Sequence, residues 1–310
     1  MQRRDVILFA VIFGSMAGGV FYPEYGRLFQ PFILYLMMVL LFLSFLRIDF
    51  RALFDTSSAS MAWLAKMLAI KLIVFPALFY SIFRAILPDY AVPALLLSGI
   101  STGVVAPFIA TILKADETLV LRMTIASSLI VPLSLPPVVE ILAGAEIFIP
   151  VLPMMKLLAQ VIFVPLFAVF LIRRFRPGLL ERLIPWQYGI SLVLFVVINL
   201  GVFSKYSSFF WIHPEQLFFS IGVAYGLSIM YYALGFLLTP RKPISERLSS
   251  AIAMSVVNNV LVIVFSSQFF GPLCPTLAAM YMFPFYTMIV PVRLFVSWYR
   301  RFTVAKVKET

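Results

Sequence analysis

One cysteine and one histidine occur in 310 residues, and only 12% of the chain is charged. The lone Cys274 excludes an intrachain disulfide and a cysteine metal cluster. The lone His213 excludes a two-histidine metal site within one chain. None of the three asparagines (Asn199, Asn258, Asn259) begins an Asn-x-Ser/Thr acceptor, which fits a bacterial membrane protein. An ordinary soluble domain is about half apolar and about a quarter charged. Charge this sparse therefore excludes a soluble enzyme and a disordered chain.

Apolar residues make up 63% of the sequence and the mean hydropathy is +1.04. That much apolar surface can be hidden only against lipid. Basic residues outnumber acidic ones, 24 against 13, for a net charge of +11. On a soluble protein such an excess would suggest nucleic acid. Here the charges sit between long apolar runs, so they read as topology signals, and no nucleic-acid partner is expected.

A helix needs roughly 20 residues to cross about 30 Å of hydrocarbon. Ten apolar runs meet or approach that length: 6–22, 31–47, 61–86, 92–113, 118–143, 150–172, 186–204, 214–239, 249–270 and 275–298. The longest connections, 48–60 and 173–185, have 13 residues each, so no soluble domain hangs from either face. The period-two alternation of a membrane barrel is absent. Run 6–22 follows Arg3-Arg4 and has Ser15-Met16-Ala17 where a signal peptide would be cut. Counted as a span instead, it brings the charge bias into order. Sixteen Lys/Arg, among them Arg3, Arg47, Arg51, Lys114, Arg173, Arg174, Arg241, Arg300 and Lys306, then share one face. About three (Arg27, Lys205 and Arg84) lie on or near the other. The positive-inside rule makes both termini cytoplasmic. The expected location is the cell (inner) membrane.

The ten runs divide as five plus five. Runs 4 and 9 are offset by 157 residues, as are the starts of runs 5 and 10, which also share a faint pattern, Thr118-Leu119 before Val131-Pro132 and Thr276-Leu277 before Val290-Pro291. Five spans per half means that the second half enters the membrane inverted. The expected fold is an all-α polytopic membrane protein with ten transmembrane helices in two inverted five-helix repeats, about 1–145 and 146–300, and a cytoplasmic tail at 301–310. Inverted repeats are a transporter architecture, with the site at the midplane where matched helices are broken. Run 4 carries Ser98-Gly99-Ile100-Ser101-Thr102-Gly103 and then Pro107, and run 9 carries Ser255-Val256-Val257-Asn258-Asn259. Glycine and proline weaken a helix, and hydroxyls or carboxamides can satisfy the freed backbone. Small residues packing helix on helix give the same pattern without any site. Weighed together at matched depth, Ser101, Thr102, Gly103, Pro107, Asn258 and Asn259 are the candidate substrate-binding residues, with Asn199 facing the cavity or packing.

These residues resemble the bile acid:sodium symporter family. The resemblance lies in Asn258-Asn259-Val260-Leu261 with Ser266 through Pro272, and in Lys114-Ala115-Asp116 leading to Thr124, Ser127, Ser128 and Pro132. Gly14 through Pro23 and Leu41 through Phe50 resemble the opening spans more loosely. The resemblance implies a core domain and a panel domain, with spans 4 and 9 crossing as broken helices in the core. It also implies carriage of amphipathic organic anions, from sterol acids to smaller carboxylates. The departures are informative. Sodium-coupled members use a Ser-Asn pair that falls on Ala106-Pro107, a Glu and a Gln that fall on Ala253 and Val257, and a serine that falls on Val120. Thr124 and Asn258 alone keep oxygen-bearing side chains there. Sodium remains possible as a cofactor, but its usual ligands are missing.

Lys71 lies about ten residues into run 3, at the depth of the expected crossing. A charge at mid-bilayer costs about 3 kcal/mol or more, which makes it a functional candidate. The resemblance puts a sodium site beside this position, so the ammonium is read as standing in for a bound cation. A buried lysine can also bind and release a proton. The carrier would then be sodium-independent or proton-coupled, with Lys71, Thr124, Ser127, Ser128, Ser255 and Asn258 as the ion-coupling set. A lysine that snorkels inward, as Lys66 is expected to, is the plainer alternative. Glu140 and Lys156 are placed to pair near one face.

The expected substrate is a small organic anion, since two half-helix N-termini aimed at the midplane favour negative charge. The other partner is the bilayer, and the chain acts as monomer or homodimer. An enzyme is not expected. Every aspartate (Asp5, Asp49, Asp55, Asp89, Asp116) lies at or beyond a span end, and the one histidine sits at a boundary. A channel or passive facilitator is the alternative, although no filter loop is visible.

Overall fold

The computed structural model describes residues 3–46, 58–145 and 147–308. Among them the fold is all-helical, with one isolated β-bridge and no strand. Helices α1 (Arg3–Phe21), α2 (Pro23–Arg27) and α3 (Ile33–Phe45) come first. Then follow α4 (Ser58–Ala69), α5 (Phe75–Ile86), α6 (Ala91–Gly99), α7 (Ala106–Leu113), α8 (Glu117–Ala143), α9 (Val151–Phe175), α10 (Pro177–Leu183) and α11 (Gln187–Lys205). The last are α12 (Ser207–Ile212), α13 (Glu215–Leu237), α14 (Ile244–Ser255), α15 (Asn259–Phe269), α16 (Leu273–Met280), α17 (Met282–Thr287) and α18 (Ile289–Lys308). Helix is the form that satisfies every backbone group within its own segment, which hydrocarbon demands.

Among the described residues six helical stretches are long and apolar enough to cross a membrane, and a pair bent by 42°, Leu273–Thr287 with Ile289–Tyr299, makes a seventh if counted as one span. The chain is thus a polytopic, membrane-type helical protein. Two further apolar runs, 92–113 and 249–270, are each made of two short helices (α6 with α7, α14 with α15). Helix α8 starts on an Asp116 cap whose carboxylate accepts from Leu119 N at 3.1 Å. It then carries Pro132, Pro136 and Pro137 inside 27 residues. Helix α7 stops where Lys114 turns left-handed at φ 56°, the one non-glycine residue with positive φ among those described.

The helices pack as two groups. Helices α1, α2, α3, α9 and α11 form the first, and α4 to α8 with α13 to α18 form the second. In the first group α2 lies close against α11: a Cβ on Gly26 would sit 2.3 Å from Leu200 O. Small residues let helix backbones approach without a hydrophobic driving force. The groups meet along α8 and α9, along α15, and where Phe13 stacks on Phe283 with centroids 4.0 Å apart.

Candidate functional site

Helix α6 ends at Gly99, and Ile100 turns the chain extended at ψ 162°. Helix α14 ends at Ser255, and Val256 leaves the helix at ψ 88°. The two unwound stretches cross and pair as an antiparallel bridge between Thr102 and Val257. Gly103 N donates to Val256 O at 2.7 Å and Asn258 N donates to Ser101 O at 3.0 Å. The pairing is antiparallel, with 101 facing 258, 102 facing 257 and 103 facing 256, and its central pair is 155 residues apart. Comparing run ends gives 157 for these spans, and apolar boundaries slip by a residue or two where helices meet the interface. Gly103 is required by this approach, since a Cβ there would lie 2.8 Å from Val257 O.

The crossing frees the carbonyls that end α14, and each finds a donor from a different element. Ala253 O accepts from the Thr102 hydroxyl at 2.8 Å, Met254 O from Lys71 Nζ at 3.1 Å and Ser255 O from the Tyr281 hydroxyl at 2.8 Å. A helix C-terminus carries about half a unit of negative charge, so an ammonium complements it. Lys71 is fully buried, with 0% of its surface exposed. Among the described residues Met254 O is its one hydrogen-bond acceptor, and no carboxylate pairs with it. It sits in a π-helical turn, Ile70–Val74, closed by Phe75 N donating to Ile70 O. Pro76 follows, has no N–H to give Leu72 O, and crowds that carbonyl, which accounts for the widened turn.

Thr102 N donates to Ser127 Oγ at 3.0 Å, which ties α8 to the crossing. The remaining hydroxyls of the expected ion-coupling set face their own helices. Thr124 donates to Val120 O, Ser127 and Ser128 to Thr124 O, and Ser255 to Ala251 O. The sodium question can be put to this donor set. Positions 106, 107, 120, 253 and 257 carry no side-chain oxygen, and the three carbonyls of α14 already accept from a hydroxyl, an ammonium and a phenol. The usual sodium-ligand positions therefore supply no side-chain oxygen here beyond Thr124 and Asn258. No group of His, Cys, Asp and Glu suited to a metal occurs among the described residues either.

The other expected residues divide cleanly. Asn258 caps α15, its side chain accepting from Leu261 N at 3.3 Å. Pro107 sits in the first turn of α7, which has no side-chain cap. Ser101 Oγ and both side-chain polar atoms of Asn259 are buried without a protein partner. Asn199 is not at the crossing: it donates to Ser15 Oγ at 3.2 Å, between α1 and α11 of the first group. Lys66 is exposed. Glu140 lies over Gly144 and forms no ion pair with Lys156.

Sequence reasoning missed the tyrosines. Tyr281 supplies the third donor to α14, and Tyr231, fully buried, packs at 4.6 Å on Phe79 and 6.0 Å on Tyr281. The hydroxyls of Tyr231 and Tyr232 are buried near Ser98 and Ser255, and that of Ser228 near Tyr281. The available signal was a phenol in the middle of an apolar run, since a buried tyrosine hydroxyl usually seeks a partner.

A small cleft of about 10 Å³, room for about one water, lies where the groups meet, lined by Phe45, Thr124, Ile125, Ser128, Leu129, Ile162 and Leu166. It carries two hydroxyls and no charge. No protein-family model matches the chain, and no curated protein matches it.

Proposed function

We propose that this chain is a secondary carrier that moves an amphipathic organic anion by alternating access, without sodium. The observation that carries the reading is the antiparallel crossing of two broken helices among buried residues. Unwound backbone at that depth is tolerated where it is held by protein or lines a cavity. Broken, matched helices are where carriers of this architecture bind.

The inverted repeat is part of the proposal. Its supports are the antiparallel crossing of the two breaks, whose central pair is 155 residues apart, and a second correspondence. A short helix opens on Pro23 and another on Pro177, and single 3₁₀ turns carry Pro31 and Pro185, so 177 − 23 and 185 − 31 both equal 154. Each pair leads into a long helix, α3 or α11. Ten spans in two halves of five follow from that reading, with both termini on the cytoplasmic face of the cell membrane. The two packing groups would then be the panel and the core.

The substrate's charge goes to the helix N-termini at the crossing. Helix α7 begins there without a side-chain cap, and the Asn259 amide and Ser101 hydroxyl have hydrogen bonds to spare. Its apolar part enters at the cleft between α3, α8 and α9, which widens to take it during the transport cycle. Lys71 serves as a resident cation on the carbonyl end of α14. It also adds positive charge near the anion.

The test is counterflow. Proteoliposomes preloaded with unlabelled organic carboxylates of graded size are diluted into labelled substrate. Saturable, transient accumulation that needs no sodium is expected for at least one carboxylate, and Lys71→Gln should abolish it in a protein that still purifies as a single species. Flux that never saturates and never accumulates would make the protein a channel.

A further inference from the structure

Lys205 is one of the few basic residues on the sparsely charged face, and transport as described above makes no use of it. It ends α11, in the first group, with Tyr206 next in the chain. Both residues reach across to α15, in the second group. Lys205 Nζ donates to Ser267 O at 2.6 Å. The Tyr206 hydroxyl donates to the same oxygen at 3.1 Å and to Phe270 O at 3.3 Å. These carbonyls belong to the end of α15, where a helix has lost its own donors and carries partial negative charge. The ammonium lies 5.4 Å from the Tyr206 ring, so each donor braces the other. Burial, with Cys274 alongside, pushes the Tyr206 hydroxyl up to about 12. It therefore keeps its proton, and its bonds, across the physiological range.

The position of this contact is as informative as its chemistry. Gln30 Nε2 bonds Ser204 Oγ at 3.0 Å, so the start of α3 lies beside the end of α11. The far end of α3 is tied to α9 instead, Arg173 donating to Leu46 O at 3.1 Å. The cleft includes Phe45, at that far end. The seam between the groups is therefore pinned at the Lys205 end and has its small cleft toward the other.

We propose that Lys205 and Tyr206 form the gate of the carrier: a reversible clamp on α15 that holds the seam shut on one face while the cleft opens on the other. Releasing the clamp is the step that exposes the crossing from the Lys205 face. The proposal rests on the carrier reading given above. It is one of moving parts, and its signature is reciprocal: what opens one face closes the other.

The experiment reads both faces. In a Cys274→Ser background, Ser267→Cys reports on the clamped end and keeps the carbonyl, while Ser128→Cys reports on the cleft. Each reporter is combined with Tyr206→Phe or Lys205→Met. Labelling by a membrane-impermeant maleimide is timed in vesicles of each orientation. Either gate substitution should speed Ser267→Cys labelling from the Lys205 face about ten-fold, the loss expected for about one hydrogen bond, and slow Ser128→Cys labelling from the opposite face. Faster labelling at Ser267→Cys with no change at Ser128→Cys would make the pair a local helix cap and overturn the gate. No change at either reporter would overturn it too. Tyr206→Phe removes a single oxygen and carries the test if Lys205→Met fails to fold. Counterflow by the parent protein is scored separately, so its failure refutes the carrier and the labelling pattern alone decides the clamp.

Discussion

Lys71 is the residue on which the chemistry turns. Its ammonium is fully buried, has no carboxylate partner, and sits on a main-chain carbonyl freed by the break after Ser255. A buried charge without a counter-ion is tolerated only when fixed dipoles replace water, and the end of α14 supplies them. Tyr281 does the same for the next carbonyl with a neutral donor. Tyr281→Phe leaves Ser255 O buried and unpaired, so it should lower stability by about 1 to 3 kcal/mol, read as a fall in melting temperature in detergent. Gly103→Ala is expected to cost about 1 to 3 kcal/mol for a different reason. Its methyl would meet the Val257 carbonyl, which is backbone and cannot swing aside. An alanine at residue 103 that melts like the parent would mean that the crossing is looser than its hydrogen bonds imply.

At the scale of elements, the breaks were readable and their supports were not. Ser98 through Gly103 is polar and glycine-bearing and Ser255 through Asn259 is polar, each inside an apolar run, and the chain leaves the helix within both stretches. The candidates at positions 101, 102, 103, 258 and 259 gather there because a break brings its own neighbours with it. Asn199 did not gather, since a lone carboxamide on a helix face can as easily bond Ser15 on the next helix. The π-helical turn at Ile70–Val74 was illegible, because it depends on how Pro76 removes one donor two residues past the turn. Tyr281 was illegible because its target is a carbonyl 26 residues away, released only when α14 stops. Two element-scale predictions follow from these supports. Asn258→Ala removes the cap of α15 and should cost about 1 kcal/mol in melting experiments. Pro76→Ala gives Leu72 O a donor, lets the turn close as regular helix and carries Lys71 away from Met254 O. Counterflow should fall although residue 76 lies in neither break; unchanged counterflow would show that the wide turn does not aim the lysine.

At the scale of the whole molecule, two groups of helices share a seam that is pinned at one end and has a small cleft toward the other. Composition alone placed the protein in lipid, and the long apolar helices agree. The pairing of the groups was not readable from hydropathy, which reports burial but not the neighbour that provides it. The central claim is that the ammonium of Lys71 fills the place a cation would take, so that sodium has none. It is tested most directly by melting the purified protein in sodium chloride and in choline chloride at equal ionic strength. A ligand that binds only the folded state adds about 2.7 kcal/mol at 100 times its Kd. The account predicts the same melting temperature in both salts, for the parent and for Lys71→Gln alike. A saturable rise specific to sodium in the parent protein would contradict it.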